Sequence, residues 1–226
     1  MGDWLLNLLF PPRCVHCKSF GDWICDKCFA EIVTVSPICS GCGKLSDHFV
    51  TCGNCRSRFG VKRLIVFSHW QEPMKSIVYG FKYKRIQVLS KKLGTWLAER
   101  LTQNNDSNNE IILVPVPLHL FRLLTRGFNQ AELLGRQIEK TLGLKLVPAL
   151  KRKKATAPQF GLTKNLRRGN IEGAFAFNSR YFDLVNNSTV VLVDDIMATG
   201  STISECAKVL KQNGAKEIWA LVLSKA

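Results

Sequence analysis

The sequence predicts an α/β protein in which helices flank a parallel sheet, preceded by a small cysteine-rich module that binds metal. Three observations indicate this. Apolar runs alternate with segments of helical spacing through most of the chain, an order typical of parallel sheets. One run, Val190–Val193, has no polar break and suits a strand buried on both faces. Eight of the nine cysteines form C-x-x-C pairs near the amino terminus.

The length and charge restrict the function classes. With 226 residues the chain can form one sizeable core and a small module. Its formal net charge is +15. Two zinc ions, each adding two positive charges to four thiolates, would lower this to +11. So basic a chain favours phosphates, nucleic acid or an anionic surface as partners, whereas solubility alone demands neither sign.

The first residues predict neither a membrane span nor a secretory signal. No apolar run approaches the roughly 18 residues that a span requires. The opening MGDWLLNLLFPP lacks a positive start and a small-residue cleavage site. We expect a short amphipathic helix over residues 1–12, ended by Pro11 and Pro12, and a reducing compartment.

The four C-x-x-C pairs predict a double zinc ribbon over residues 13–60. Each pair places two thiolates on one tight turn, ready for a tetrahedral metal. The expectation is two structural Zn²⁺ sites, and cross-braced pairing stays an alternative to sequential pairing. In the sequential arrangement the ligands are Cys14, Cys17, Cys25 and Cys28 for one ion, and Cys39, Cys42, Cys52 and Cys55 for the other.

Other readings of these residues are less favoured. Disulfides would need an oxidising compartment, for which the sequence gives no signal. His16 and His48 are bystanders while eight cysteines are available. The ninth cysteine, Cys206, lies on the apolar side of a helix and is expected in the core.

Residues 61–226 supply the larger domain, whose first half alternates strands and helices. Strands are expected at Val61–Trp70 and Ile111–Val116, and helices at Met74–Tyr83 and Val88–Leu101, followed by a polar linker over residues 103–110. The basic, aromatic stretch Lys82–Arg85 suits single-stranded nucleic acid or a solvated helix end.

A second group of basic residues follows the strand at Ile111. Arg122 and Arg126 present guanidinium forks suited to a diphosphate, although paired arginines are usually surface residues. Gly127 supplies a turn, and Asn129 is placed to cap the next helix.

A strand at Leu144–Leu150 then opens a basic segment. Seven lysines and arginines between Lys151 and Arg168, with no acid, indicate a flexible cationic lid or a nucleic-acid-binding loop. The last strand is expected at Glu217–Leu223.

The stretch VVLVDDIMATGST carries the clearest chemistry. Asp194 and Asp195 come at the carboxyl end of a strand, where open α/β sheets bind ligands. A following helix start attracts phosphate, and Gly200 permits close approach. A ribose 5-phosphate with a divalent cation fits both features. A P-loop and a dinucleotide fingerprint are excluded, because their lysine and glycines are missing; an ordinary strand end with a capped turn is the bland alternative.

This stretch resembles the phosphoribosyl diphosphate (PRPP) signature of type I phosphoribosyltransferases. The resemblance implies that Asp194 and Asp195 contact the ribose, with Mg²⁺ accompanying PRPP. It assigns the 5-phosphate to Ala198, Thr199, Gly200, Ser201 and Thr202. Ala198 stands where the family usually has Thr, which removes one hydroxyl and is expected to weaken phosphate binding.

Taken with the paired ribbons, VPVPLH, RGFNQAELL and RRGN, the whole chain resembles the ComF family. That family implies a cytoplasmic bacterial role in natural transformation, with incoming single-stranded DNA and a competence helicase as partners. By position it implies a catalytic role for Asp194, Asp195 and Arg126. It also implies a diphosphate loop of Pro117, Leu118, His119 and Arg122, and a flexible basic loop that includes Arg152, Lys153, Arg167 and Arg168.

Two functions remain open from the sequence. The first is an enzyme that displaces diphosphate from PRPP with an amine or nucleobase, as in nucleotide metabolism. The second is a binding module that retains the ribose-phosphate pocket while its ribbons and basic segments hold single-stranded DNA.

Overall fold

A computed structural model describes residues 11–39, 41–105, 110–153 and 171–226. Its main sheet has five parallel strands in the order β1-β7-β6-β2-β3, and a separate antiparallel pair joins β4 to β5. The predicted α/β class with a parallel sheet is confirmed. The strands are β1 Arg63–His69, β2 Ile111–Pro115, β3 Lys145–Leu146, β4 Leu150–Arg152, β5 Phe175–Phe177, β6 Thr189–Met197 and β7 Glu217–Lys225.

Helices cover both faces of this sheet. On one face α4 and α6 pack against each other and against the strands, whereas α8 packs on β6 and β7 from the other side, next to β5. The helices are α1 Asp26–Ala30, α2 Gly53–Phe59, α3 Met74–Tyr83, α4 Leu89–Gln103, α5 Leu120–Arg126, α6 Gln130–Leu142, α7 Phe182–Val185 and α8 Ser201–Gln212.

The core follows from the two central strands. In β6 the run Thr189–Val193 is buried, and β7 is buried from Ile218 to Ser224. Two-sided cover explains why these strands read as continuous apolar runs rather than as alternating ones. Trp219 is fully buried. As expected from the sequence, Cys206 lies in this core, and Asn129 caps α6 by accepting a hydrogen bond from the N–H of Ala131.

The cysteine-rich segment packs on the edge strand β1. The backbone N–H of Val35 donates to Phe67 O at 3.1 Å, and Thr51 N–H donates to Lys62 O at 2.8 Å. Arg100 of α4 donates to Val35 O. The edge of the sheet is therefore covered rather than open, which removes a site for unwanted strand pairing.

Two expected elements differ in the structure. The strand predicted over Leu144–Leu150 is wrong as a single element: β3 ends at Leu146, and Leu150 begins β4 in the other sheet. Pro148 lies between them and has no N–H to donate to a ladder. The seven-residue helix α5, within the stretch expected to be a loop, was not predicted.

Strand β6 is also longer than expected, since it runs through both acidic residues to Met197. The helix predicted over residues 1–12 falls mainly outside the described residues. In the described part of the chain, no helix has the length and apolar character to cross a membrane.

Candidate functional site

The candidate site lies at the carboxyl ends of β2 and β6. These strands are neighbours, yet β2 leads outward to β3 whereas β6 leads to β7 on its other side. Such a switch point is where open α/β sheets bind ligands. The two loops that carry the predicted phosphate and diphosphate residues follow these two strands, so the fold brings them to one edge of the sheet.

The loop after β6 forms a small cleft at the start of α8. The cleft has a volume of about 50 Å³ and is lined by Asp194 and residues 196–203. Gly200 has φ of +79°, a conformation that glycine adopts freely. Ser204 N–H makes the first intrahelical bond, to Gly200 O at 2.8 Å, so the earlier N–H groups of the helix lack intrahelical partners.

Hydroxyl groups complete this cleft. Thr199 Oγ1 lies 2.9 Å from Ser201 Oγ and accepts a longer bond from Ser201 N–H. Ala198 is exposed and contributes its backbone only. The N–H groups that lack intrahelical partners and the helix dipole suit a phosphate, and the hydroxyls add donors to it.

Asp194 lies beside this cleft in an unusual electrostatic setting. Burial and the neighbouring Asp195 carboxylate raise the pKa of Asp194 to about 7, although Lys82 and Arg152 partly offset this. One of its oxygens, Oδ1, accepts the N–H of Asp195 at 2.8 Å. A group at this position can gain or lose a proton near neutral pH, and a bound cation would favour its carboxylate.

Asp195 points the other way and has a partner. Adjacent residues of a strand face opposite sides of the sheet, and Asp195 Oδ1 lies 2.8 Å from Lys82 Nζ. Both side chains are almost enclosed, with 9% and 15% exposure. The structure therefore brings the acidic pair to one edge but not to one face.

The Lys82–Asp195 pair was missed from the sequence, which placed Lys82 in a solvated or nucleic-acid-binding stretch. A signal was present: Val78, one turn before Lys82, and Phe81 are both buried in α3. Residues four apart share a helix face, so Lys82 borders the buried side. Only the fold shows that this side faces β6.

Two arginines, Arg122 and Arg152, lie close enough to the acidic residues to interact with them, and Arg126 lies near Arg122. Burial and the nearby Arg126 lower the pKa of Arg122, while Asp194 and Asp195 act in the opposite direction. Burial and Arg122 likewise lower the pKa of Arg152. Guanidinium groups that repel one another in a partly buried space are stabilised by an anion, and a diphosphate carries several charges.

The position of Arg152 corrects one expectation. This residue is the last of β4, not part of a loop, and its guanidinium lies 5.3 Å from the Phe175 ring centroid. The ladder continues with Lys153 N–H to Ala174 O at 2.8 Å. The short apolar strand β5 provides the partner for this pairing. The charge of the KRKK stretch predicts a loop and gives no sign of such a partner. Arg167 and Arg168 lie outside the described residues.

The remaining residues of the predicted diphosphate loop lead into α5. Pro117, Leu118 and His119 are partly buried, and His119 Nδ1 accepts the N–H of Phe121 at 3.2 Å. His119 thus caps α5 and fixes where the loop ends. Arg126, at the other end of α5, lies with its guanidinium 5.2 Å from the Tyr83 ring centroid.

A second site lies in the ribbons, where the cysteines form two sequential groups of four. In each group the ligand atoms lie within 4.8 Å of one another. Cys17 Sγ is 3.6 Å from Cys25 Sγ, and Cys39 Sγ is 3.6 Å from Cys52 Sγ. Thiolates about 2.3 Å from zinc in a tetrahedron lie about 3.8 Å apart, so both groups fit Zn²⁺. Sequential pairing is the arrangement that the structure has.

The thiols of each group cannot all ionise without a cation. Hydrogen bonds from Ser19 lower the pKa of Cys17 to about 6, whereas burial and the neighbouring thiols raise the pKa of Cys28 well above its ordinary value. In the other group, backbone N–H donors outweigh burial and lower the pKa of Cys39 to about 6, while Cys52 and then burial raise that of Cys55 to about 12. A divalent metal removes this conflict.

Comparisons with known proteins match both parts of the chain. The family described as "Double zinc ribbon domain" matches residues 5–56, and the family described as "Phosphoribosyl transferase domain" matches residues 82–225. The chain thus combines a zinc-ribbon module with a phosphoribosyltransferase-like sheet, and it carries two four-cysteine sites for structural Zn²⁺.

Curated relatives match along nearly the whole chain. Competence protein F of Haemophilus influenzae is 31% identical, with 95% of this chain and 97% of the relative covered. DNA utilization protein YhgH of Escherichia coli K12 is 30% identical over 95% and 98% of the two chains. Competence protein ComFC of Streptococcus pneumoniae is 28% identical over 86% and 82%.

Proposed function

The chain belongs to the ComF family of competence protein F and DNA utilization protein YhgH, and we propose that it is a competence protein with a working ribose-phosphate site. In this proposal it binds PRPP or a related ribose phosphate together with Mg²⁺. It acts in the cytoplasm with internalised single-stranded DNA, and a competence helicase is its partner.

One observation carries the ribose-phosphate part. The N-terminal cleft of α8 adjoins Asp194, and Arg122 and Arg152 lie close enough to interact with that carboxylate. A PRPP molecule has the matching groups, since it carries a 5-phosphate, two ribose hydroxyls and a diphosphate. The cleft suits the 5-phosphate, Asp194 the hydroxyls and the arginines the diphosphate.

The same arrangement supports a displacement reaction. The bond between ribose C1 and the diphosphate oxygen breaks with its electron pair on the diphosphate, an amine nitrogen bonds to C1, and that nitrogen loses a proton. Arg122 and Arg126 would stabilise the charge on the departing diphosphate. Asp194 and Asp195, from their different faces of β6, would orient the sugar and the charge that develops on it. A reaction of this kind depends more on stabilisation of the charge on the diphosphate and the sugar than on a dedicated base.

The residues also fit a hard cation. Mg²⁺ takes oxygen ligands and is usually bound through one or two carboxylates and the phosphates of a substrate. Asp194 offers a carboxyl whose proton is held by burial and by Asp195, so a cation would favour its ionised form. When bound with PRPP, Mg²⁺ would neutralise charge on the diphosphate.

Charge and family membership support the DNA part. The formal net charge of +15 favours an anionic polymer. The names of the relatives assign competence and DNA utilization to those proteins. This support favours a role in transformation over nucleotide salvage, which stays the alternative for an active transferase.

Calorimetry with PRPP and Mg²⁺ tests the site. Replacing both acids, as Asp194→Asn with Asp195→Asn, is expected to abolish binding, and Arg122→Gln is expected to weaken it at least tenfold because a charge-assisted contact is lost. Arg136→Gln is the matched control, since Arg136 pairs with Glu132 on an exposed face of α6. Unchanged affinity in the acidic double variant would refute the ribose-phosphate assignment.

Product analysis separates the two forms of the proposal. Release of diphosphate in the presence of an amine or nucleobase, lost in the acidic double variant, would establish a transferase. Binding of PRPP without diphosphate release across a broad set of acceptors would leave a binding module.

A further inference from the structure

A second and larger groove lies where the first ribbon meets α3. Its volume is about 490 Å³, within the range of ligand sites. Val15 and Lys18 of the ribbon form one side, and Trp70 with residues of α3 forms the other. Ile196 of β6 lines both this groove and the phosphate cleft, so the two spaces are neighbours.

Specific contacts hold the walls of the groove together. His16, between the first two zinc ligands, has Nδ1 3.2 Å from both Glu72 Oε2 and Ser76 Oγ. Gly80 admits Val15 so closely that a Cβ there would lie 3.1 Å from Val15 Cγ1. Because the turn that carries the zinc ligands Cys14 and Cys17 forms one wall, the groove is already shaped in the ligand-free structure.

Aromatic rings are available in this groove. Tyr79 and Tyr83 are one turn apart on α3, their ring centroids are 5.0 Å apart, and their exposures are 56% and 59%. Exposed tyrosines singly need no explanation. Two adjacent rings in a preformed groove, with Trp70 nearby, provide a surface on which a planar base can stack.

The charge of the groove is positive. Exposed Lys18, Lys75 and Lys84 line it. The only acid among the lining residues is Glu72, and its Oε2 already accepts the N–H and hydroxyl of Ser76 at 3.1 and 2.7 Å. Lysines alternating with aromatic rings match the alternation of phosphates and bases along a single strand.

We propose that this junction groove binds nucleotides of single-stranded DNA, with a base stacked on Tyr79 and adjacent phosphates contacting Lys75 and Lys84. The inference rests on the DNA part of the proposed function, and it locates DNA binding in this groove. Two lining residues also reach the ribose site: Lys82 pairs with Asp195, and the Tyr83 ring lies under Arg126. A strand in the groove therefore lies next to the ribose phosphate.

Fluorescence anisotropy with a labelled oligo(dT) of about 12 nucleotides tests the proposal on the full, zinc-loaded chain. Tyr79→Ala is expected to weaken binding by at least roughly fivefold, and Tyr79→Phe, which keeps the ring, to restore it. Phe182→Ala is the control, because Phe182 is 46% exposed and lies on α7. Equal affinity of Tyr79→Ala and the unchanged chain would overturn the assignment.

The lysines are tested by a charge-matched pair of variants. Lys75→Gln with Lys84→Gln is expected to reduce the slope of log K against log salt by about 1.4, the value for two phosphate contacts on a single strand. Lys140→Gln with Lys145→Gln removes the same charge from exposed positions on α6 and β3. If both double variants weaken binding equally, the DNA is held by general charge and the groove proposal fails.

Two further measurements distinguish failure of the groove proposal from failure of the ribose-phosphate proposal. PRPP calorimetry on Tyr79→Ala is expected to match the unchanged chain, which shows that the variant folds. A groove that binds DNA in a chain without PRPP affinity would uphold this inference and defeat the ribose-phosphate proposal. Competition by a duplex as strong as that by oligo(dT) would overturn the groove assignment, because duplex bases are not free to stack.

Discussion

The ribbons and the sheet are stabilised in different ways. Residues 61–226 bury a continuous apolar core around β6 and β7, whereas residues 13–60 place eight sulfur atoms in two groups of four. Among the described ribbon residues, Val15, Ile24, Val35 and Phe49 are buried and join the edge of that same core. A segment of this size buries too little apolar surface for stability and usually requires metal.

The two regions also differ in the cause and consequence of the shifted pKa values of their ionisable groups. The ribbons hold thiols that resist joint ionisation until zinc arrives, and the sheet holds Asp194, whose pKa is raised by burial and by Asp195. In the ribbons the cation maintains the fold. In the sheet the fold is already formed, and the destabilised carboxylate is available for a ligand.

Removal of zinc should produce the largest effect. A structural zinc site contributes apparent binding energy of about 10–16 kcal/mol, so chelation should unfold residues 13–60 while β2, β6 and β7 keep slow amide exchange. Hydrogen exchange read by mass spectrometry checks this. Cys39→Ala should lower the zinc content from two ions to one, and Cys206→Ala, at an equally buried cysteine, should leave two. Loss of protection throughout the sheet would contradict the comparison.

The titration of Asp194 should give the next effect. Its folded pKa of about 7 is above the ordinary value of 3.8, so the folded state retains a proton that the unfolded state has lost. The contribution of Asp194 to the stability of the ligand-free chain should therefore be greatest at low pH and fall, by at most about 4 kcal/mol, as pH rises to about 7.

Urea denaturation across this range measures the pH effect. Asp195, Lys82, Arg152 and Cys206 also interact with this carboxyl, so Asp194→Asn is the required comparison and should flatten the profile. Magnesium-dependent PRPP affinity should show the reverse trend, rising up to about tenfold per pH unit below pH 7 because binding favours the carboxylate. A PRPP affinity independent of pH would exclude the predicted coupling.

Substitution of one glycine in each region tests how tightly that region is packed. A Cβ on Gly94 in α4 would lie 2.5 Å from Gln137 Cβ of α6, whereas a Cβ on Gly53 in α2 meets nothing within 4 Å. Gly94→Ala should destabilise the chain by roughly 1–3 kcal/mol through overpacking. Gly53→Ala should be neutral or stabilising by up to about 1 kcal/mol. Urea midpoints of the zinc-loaded variants give both values, and a tolerated Gly94→Ala would mean that α4 and α6 can separate.

The smallest effect is expected at the junction of the two regions. Lys92 Nζ of α4 lies 2.5 Å from Asp22 Oδ2 of the ribbon, but both side chains are more than 40% exposed. Asp22→Asn should therefore cost less than about 1 kcal/mol. Its distinctive result is faster exchange in the first ribbon, which Glu132→Gln should not cause, since the Glu132–Arg136 pair lies within α6. If amide exchange in the first ribbon is the same in both variants, Asp22 does not help to hold the ribbon against α4.

The sequence determined the features that depend on local chemistry. C-x-x-C spacing fixed the zinc ligands, because two thiolates on one turn must face the same metal. The apolar run of β6 and the glycine at the start of α8 fixed the position of the cleft proposed for phosphate, because strand burial and helix starts are properties of neighbouring residues. Asn129 as a helix cap belongs to the same class.

Only the tertiary structure decided which distant groups meet. Lys82 and Asp195 are separated by more than half of the domain, and Arg152 reaches Arg122 only because β4 pairs with β5 instead of extending β3. His16 contacts Glu72 because the ribbon packs on α3. Periodicity places a side chain on a face of its own element, whereas the partner of that face depends on strand order and helix packing, which are set by burial of the core as a whole.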